Sequence, residues 1–162
     1  TVEFHSCSKS FNMAGLRIGF AAGNAGLVDA IAAYRTNIGY GAPSLVQHAG
    51  AFALDHYRTL TVPVVEGYRA RRDAAVAAAR QAGWPAQSPK AAMYVWLPVP
   101  GGADEGTFIR AMLDDAGVVV TPGSAFGPGG AGYFRISLVA EPAVLSESIA
   151  KMGMACAARG WV

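Results

Sequence analysis

Lys9 stands in a run of small residues, Ser6-Cys7-Ser8-Lys9-Ser10, and Arg17 follows eight positions later. A lysine amine can form a Schiff base with an aldehyde and, once released, carry a proton. A guanidinium grips phosphate oxygens with a two-pronged hydrogen bond, and a hydroxyl adds a further donor. If the loop doubles back beside Gly15 to Phe20, then Ser6, Lys9 and Arg17 meet at one small, anionic, aldehyde-bearing ligand. The competing reading is a solvated lysine between serines, and spacing alone leaves both open.

A second arginine lies in Tyr133-Phe134-Arg135-Ile136-Ser137-Leu138-Val139. The alternation puts Phe134, Ile136 and Leu138 on one face and Tyr133, Arg135 and Ser137 on the other. Arg135 is thereby kept off the apolar face, either as an exposed or ion-paired sheet residue or as a clamp for a carboxylate. Upstream of it, Thr121-Pro122-Gly123-Ser124-Ala125-Phe126-Gly127 reads as a turn ending a strand. Tyr40, within Gly39-Tyr40-Gly41-Ala42-Pro43, is a lone loop aromatic whose ordinary role is packing. His48 and His56 have no ligand-spaced companions, so no metal site is expected; His5 is expected to shape the lysine loop, and Trp84, Trp96 and the methionines to pack.

The elements that must position these residues follow from periodicity. Thr1 to His5 alternates as a strand, and its abrupt start suggests that the natural chain continues upstream. Gly15 to Gly23, with Leu16, Ile18, Phe20 and Ala21, predicts a largely buried strand. Asn24 caps a helix carrying Leu27, Val28, Ile31 and Ala32, and Ser44 opens another carrying Leu45, Ala49, Phe52 and Ala53. A long helix is expected from near Pro63 through Val76 and Ala79, with Gly83 as its stop. Beyond it, strands are predicted at Met93 to Leu97, Val118 to Val120 and Tyr133 to Val139. Helices are predicted from Glu105 to Ala116 and from Pro142 toward Met152. The chain thus divides into two α/β regions, 1–60 and 61–162, without repeats.

Composition narrows the function classes. Apolar residues make up 52% and charged residues 15% of 162 residues, a balance suited to a buried sheet or to surfaces that meet another domain. A net charge of +2 gives no footprint for nucleic acid, and Arg69-Ala70-Arg71-Arg72 beside Asp73 reads as a solvated helix face. Cys7 and Cys156 lie far apart, which favours a reducing compartment over a disulfide scaffold. No apolar run reaches the length of a membrane span, and the N-terminal residues do not pattern as a signal peptide.

The run from His5 to Phe20 resembles the cofactor-lysine motif of class I aminotransferases, in the fold type I group of pyridoxal-phosphate enzymes. There Ser-x-x-Lys is followed at fixed distance by Gly-x-Arg-x-Gly, matched here by Ser6, Lys9, Gly15, Arg17 and Gly19. Asn37 to Gln47, Arg71-Arg72-Asp73, Pro89-Lys90 with Met93 to Trp96, Gly117 to Gly127 and Gly132 to Leu138 resemble the same family in the same order. Within it the wording is similar to the bacterial branch that includes aspartate, LL-diaminopimelate and N-succinyldiaminopimelate aminotransferases.

The resemblance implies the carboxy-terminal part of a PLP-dependent transferase fold, with a partial large domain at 1–60 and a linking helix plus an α+β small domain at 61–162. It implies pyridoxal 5'-phosphate held by Lys9, with Ser6, Ser8 and Arg17 on its phosphate. Arg135 would clamp the substrate carboxylate, the Thr121–Gly127 loop would lie near the active-site mouth, and Tyr40 would lie in a loop that approaches the partner subunit's cofactor. The whole enzyme would be a cytoplasmic homodimeric transaminase of amino-acid biosynthesis, exchanging an amino group between an amino acid and a 2-oxo acid. The upstream half of such enzymes has no counterpart among these residues, so the fragment alone is expected to be inactive or nearly so. Two rivals stand beside this expectation. One is a non-catalytic structural or interaction fragment of such an enzyme; the other is a pyridoxal-phosphate lyase relative, which the Gly-Tyr-Phe-Arg-Ile-Ser-Leu wording fits less well.

Overall fold

The computed structural model describes residues 1–161, which fall into two compact units, Thr1–Glu66 and Gly67–Val162. Unit 1 begins with strand β1 (Val2–Ser6). A single helical turn, α1 (Cys7–Ser10), and a 3-10 turn at Ala14–Leu16 lead into strand β2 (Gly19–Gly23). The two strands pair antiparallel, with Phe4 opposite Ala21 and Ser6 opposite Gly19. A Cβ on Gly19 would overlap the His5 carbonyl oxygen, so the close crossing here requires glycine.

Two expectations change in this unit. The polar turn is helical, because the Ser6 hydroxyl accepts the Ser8 N–H and caps it. The strand expected from Gly15 starts at Gly19, because Arg17 takes the left-handed conformation at φ 53° and breaks the extended run. Nor is β2 buried: a two-stranded ribbon has no second layer to cover either face.

Asn24 caps helix α2 (Ala25–Ile38) as predicted, accepting from the Leu27 N–H. Helix α3 (Ser44–Asp55) starts at Ser44 and buries only Gly50 and Ala53, with Ile18 packed against Gly50. Helix α4 (Tyr57–Gln81) begins six residues before Pro63, which lies inside it. Pro63 cannot donate to the Thr59 carbonyl, and its exposed position leaves that oxygen open to water. The helix ends where Gly83 takes φ +92° and the Trp84 N–H bonds back to Ala79.

Unit 2 holds a three-stranded antiparallel sheet of order β3 (Tyr94–Pro98), β5 (Tyr133–Ser137), β4 (Thr121–Pro122). Val118 to Val120 does not join it. The Val118 N–H is tied back to Met112 at the end of helix α5 (Glu105–Asp114), and pairing starts only at Thr121 opposite Arg135. Pro122 is tolerated because β4 is an edge. Helix α6 (Pro142–Ala158) runs beyond the expected end at Met152.

The core fills one side of this sheet. Val95, Leu97, Phe134, Ile136 and Leu138 meet Phe108, Ala111 and Met112 of α5, Leu145, Ile149 and Met152 of α6, and Ala75, Val76 and Ala79 of α4. The i, i+3, i+4 spacing in α5, i, i+4, i+7 in α6 and i, i+1, i+4 in α4 put each helical set on one side of its helix. Phe134 is fully buried, with Phe108 at 4.7 Å and Trp84 at 5.8 Å between ring centroids. Burying a side chain of this size contributes roughly 1.5–3 kcal/mol.

Candidate active site

In unit 1 the β1–β2 pairing folds the lysine loop back on itself. The Cys7 N–H donates to the Ile18 carbonyl at 3.1 Å, which brings Arg17 beside the start of α1. Ser6 caps that turn with its hydroxyl 3.2 Å from the Ser8 nitrogen, and Lys9 follows on the same turn. Cys7 is the buried anchor of α1, whereas Lys9 is exposed and makes no hydrogen bond or ion pair among the described residues.

Arg17 is also exposed, and its guanidinium donates to the Ala14 carbonyl at 3.0 Å, leaving most of its donors unused. A left-handed backbone at a residue with a Cβ costs about 1–2 kcal/mol, and such conformations gather at functional sites. His5 belongs to the adjacent strand, paired with Glu3 at 2.9 Å and stacked on Phe20 at 5.0 Å. Both contacts lie within the β1–β2 hairpin and neither reaches the Cys7–Ser10 turn. Tyr40 is fully exposed, and its carbonyl receives a long 3.5 Å bond from Arg35.

In unit 2 Arg135 sits at the centre of β5, between Trp96 of β3 and Thr121 of β4. Its guanidinium lies over the Tyr94 ring at 4.1 Å and over the Phe126 ring at 4.6 Å. Its Nε is buried without a partner, and among the described residues Arg135 has no hydrogen bond or ion pair. The alternation that kept Arg135 off the core is thus observed, but the ion-paired alternative is not. A half-buried guanidinium between two rings, with no acid bonded to it, keeps its donors free for an anion such as a carboxylate. Ser6, Ser8, Lys9, Arg17 and Tyr40 belong to unit 1, and Arg135 belongs to unit 2.

The sequence did not reveal which side chains surround Arg135, although the resemblance put the loop carrying Phe126 near the active-site mouth. Tyr94 and Phe126 face it, and Trp96 is half-exposed against Phe126 and Tyr133 instead of filling the core. Glu105 was visible only as a residue in the first turn of a helix. Its carboxylate accepts the Ser124 backbone N–H at 3.2 Å, the Ser124 hydroxyl, and the Gly132 N–H at 2.8 Å. The Ser124 hydroxyl bond, foremost, holds its carboxyl below the ordinary range.

The other candidates have structural explanations. The basic run is only partly a solvated face: Arg71 pairs with Glu141 at 3.0 Å and Arg72 with Asp73 at 2.7 Å, both arginines half-buried. His48 and His56 bond carbonyls one turn back, at Ser44 and Phe52. No group of metal-ligating side chains occurs among the described residues. Cys7 and Cys156 are free, and burial pushes the Cys156 thiol up to about 11. No helix among the described residues is long and apolar enough to cross a membrane.

The chain is similar to known proteins in sequence and in fold. The family model described as aminotransferase class I and II matches residues 1–151. An LL-diaminopimelate aminotransferase of Desulforudis audaxviator is 42% identical over 151 residues, covering 93% of this chain and 38% of its own length. A Nostoc protein named LL-diaminopimelate aminotransferase 2 is also 42% identical, with 39% of its length covered. Among solved structures, an aromatic aminotransferase from Pyrococcus horikoshii aligns with a TM-score of 0.92 at 29% identity, over 100% of this chain and 44% of its own. A probable N-succinyldiaminopimelate aminotransferase from Thermus thermophilus aligns with a TM-score of 0.87 at 32% identity, over 95% and 41%. The chain therefore spans about two fifths of the length of the relatives it matches. With the lysine motif, the fold and the family model in agreement, the chain belongs to the class I and II aminotransferases.

Proposed function

We propose that these residues are part of a pyridoxal 5'-phosphate-dependent aminotransferase that moves an amino group between an amino acid and a 2-oxo acid. The observation that carries this reading is the Cys7–Ile18 backbone bond, which gathers the Ser6–Lys9 turn and Arg17 at one end of the hairpin. The donors there are an ammonium, a guanidinium and two hydroxyls, and no carboxylate is bonded to any of them among the described residues. Such a set suits a small phosphorylated aldehyde.

When bound, the cofactor supplies an aldehyde and an electron-accepting ring. The chain's own groups do the remainder. Arg17 would pair its charge with the phosphate, and the Ser6 and Ser8 hydroxyls would add hydrogen-bond donors. The Lys9 Nζ would hold the cofactor through its aldehyde and, when free, would take the proton from the substrate's alpha carbon and deliver it to the former aldehyde carbon. Arg135 orients the substrate carboxylate with paired donors, and the Tyr94 and Phe126 rings fix its plane. Tyr40 is assigned to the second subunit's cofactor by resemblance alone.

The exposed apolar side chains of unit 1, among them Phe4, Tyr34, Ile38 and Leu45, support burial against the rest of a longer enzyme and a second subunit in a homodimer. The unpaired cysteines support a cytoplasmic setting. The names of the 42% identical relatives make LL-diaminopimelate the first donor to test, with aspartate and aromatic amino acids as comparisons. Turnover is assigned to the longer protein and not to these 162 residues alone.

The test is to mix the full-length protein with pyridoxal 5'-phosphate, reduce with borohydride and map the labelled peptide. The adduct is expected on Lys9, and Lys9→Ala should lose it while turnover falls about 10²–10⁴-fold. Label on Lys90 or Lys151 instead, or no label, would overturn the assignment. Retention of the adduct without transfer to any 2-oxo acid would favour the lyase or non-catalytic alternatives.

A further inference from the structure

We propose that Glu105 is a positioning residue for Arg135, fastening the Gly123–Gly132 loop so that Phe126 stays stacked against the guanidinium. This rests on the assignment of Arg135 as the carboxylate anchor. The Arg135 side chain has no hydrogen bond or ion pair among the described residues, and its guanidinium is flanked by the Tyr94 and Phe126 rings. Tyr94 is fixed by the sheet, where it pairs with Ser137. Phe126 is not in the sheet and is 52% exposed. It keeps its place only as far as its loop does.

That loop is closed at both ends by one carboxylate. Oε1 of Glu105 takes the N–H and the hydroxyl of Ser124 near the start, and Oε2 takes the Gly132 N–H immediately before β5. Beside this closure the backbones of Gly123, next to Ser124, and Gly130, two residues before Gly132, touch so closely that a Cβ on either would collide with the other's carbonyl oxygen. The loop is therefore a pinched ring, with Phe126 on its span against Trp96 at 5.6 Å and Arg135 at 4.6 Å.

Glu105 is not needed to cap α5. Asp104 already does so, accepting the Thr107 N–H at 3.0 Å and its hydroxyl at 3.2 Å. Both oxygens of Glu105 are committed to the loop instead. An amide at this position offers one acceptor oxygen and would turn an NH₂ toward a facing donor, either Gly132 or Ser124.

The test uses the cofactor-loaded full-length enzyme with an amino donor and a 2-oxo acid. Glu105→Gln is expected to speed hydrogen exchange of the amides from 124 to 132. It should raise KM for both carboxylate substrates about ten-fold, with kcat within about three-fold, the size of a lost ring-to-cation contact. Phe126→Leu should raise KM similarly without speeding the exchange, and Phe126→Tyr should restore it. If Glu105→Gln does not yield folded protein, Ser124→Ala removes only the hydroxyl bond and should raise KM about two- to three-fold.

Faster loop exchange with unchanged KM would overturn the proposal, as would a Phe126→Leu enzyme with normal KM. Arg135→Ala separates this from failure of the underlying assignment. If it raises KM strongly while Glu105→Gln does not, only the positioning role falls. If Arg135→Ala itself leaves KM unchanged, the anchor assignment falls and the positioning role with it.

Discussion

Unit 1 carries the lysine motif on almost no interior, whereas unit 2 surrounds its arginine with a packed core. Cys7 and Ala53 are the only buried apolar side chains recorded for unit 1, while Phe4, Tyr34, Tyr40, Leu45 and Phe52 are more than half exposed. In unit 2 three helices close one side of the sheet, and Phe134, Leu97, Met112 and Leu138 are fully buried. The lysine motif therefore sits on a unit whose apolar surface is left largely open. The arginine is positioned by contacts that unit 2 supplies by itself.

The largest expected effect separates the two units in the 162-residue chain. Amides of β3 and β5 should exchange at the rate of global unfolding, and those of α2 and the β1–β2 ribbon should exchange orders of magnitude faster, because local opening exposes little buried area. Equal protection in both units would break the comparison. Circular dichroism and fluorescence provide a second view. All three tryptophans, Trp84, Trp96 and Trp161, belong to unit 2, so fluorescence follows that unit while helical signal follows both.

A smaller effect comes from equivalent truncations. Phe134→Ala empties a site between Phe108 and Trp84 and should cost about 3–5 kcal/mol in denaturant unfolding followed by fluorescence. Phe52→Ala removes a ring that is 58% exposed and stacked only on His56. Followed by helical circular dichroism, which reports on unit 1 as well, its cost should fall within about 0.5 kcal/mol. Similar costs for the two would mean that unit 1 holds an interior of its own.

The same contrast decides what the sequence could reveal. Where packing is local to unit 2, periodicity located the elements: the Phe134, Ile136, Leu138 face is the core face, and Arg135 is off it. In unit 1 the apolar pattern of Leu16 to Ala21 was legible, but burial was not, since burial depends on a second layer and not on the pattern. The lysine motif stood out because several residue types recur at fixed spacing. Glu105 and Phe126 did not, because their roles arise from contacts between residues distant in the chain, such as Glu105 to Ser124. Similarly, Val118 to Val120 has strand composition, but one backbone bond to Met112 diverts it.

The smallest expected effect is the response of unit 2 to acid. Asp104 is held below its ordinary 3.8 chiefly by the Thr107 N–H, Glu105 below 4.5 by the Ser124 hydroxyl, Asp115 below 3.8 by Arg159 and Glu147 below 4.5 by Lys151. A carboxyl depressed in the folded state stabilises it at every pH above the unfolded value, and the stabilisation is lost as pH falls through the folded one. The fluorescence-detected melting temperature of unit 2 should therefore hold from neutral pH to about 4.5 and decline toward about 3. Glu147→Gln should barely alter the decline, because its pair with Lys151 is an exposed i, i+4 contact. Glu105→Gln should flatten it more, since that carboxylate ties three donors of one loop. A decline that ignores Glu105 but follows Glu147 would show that the loop is held by its glycine neck alone.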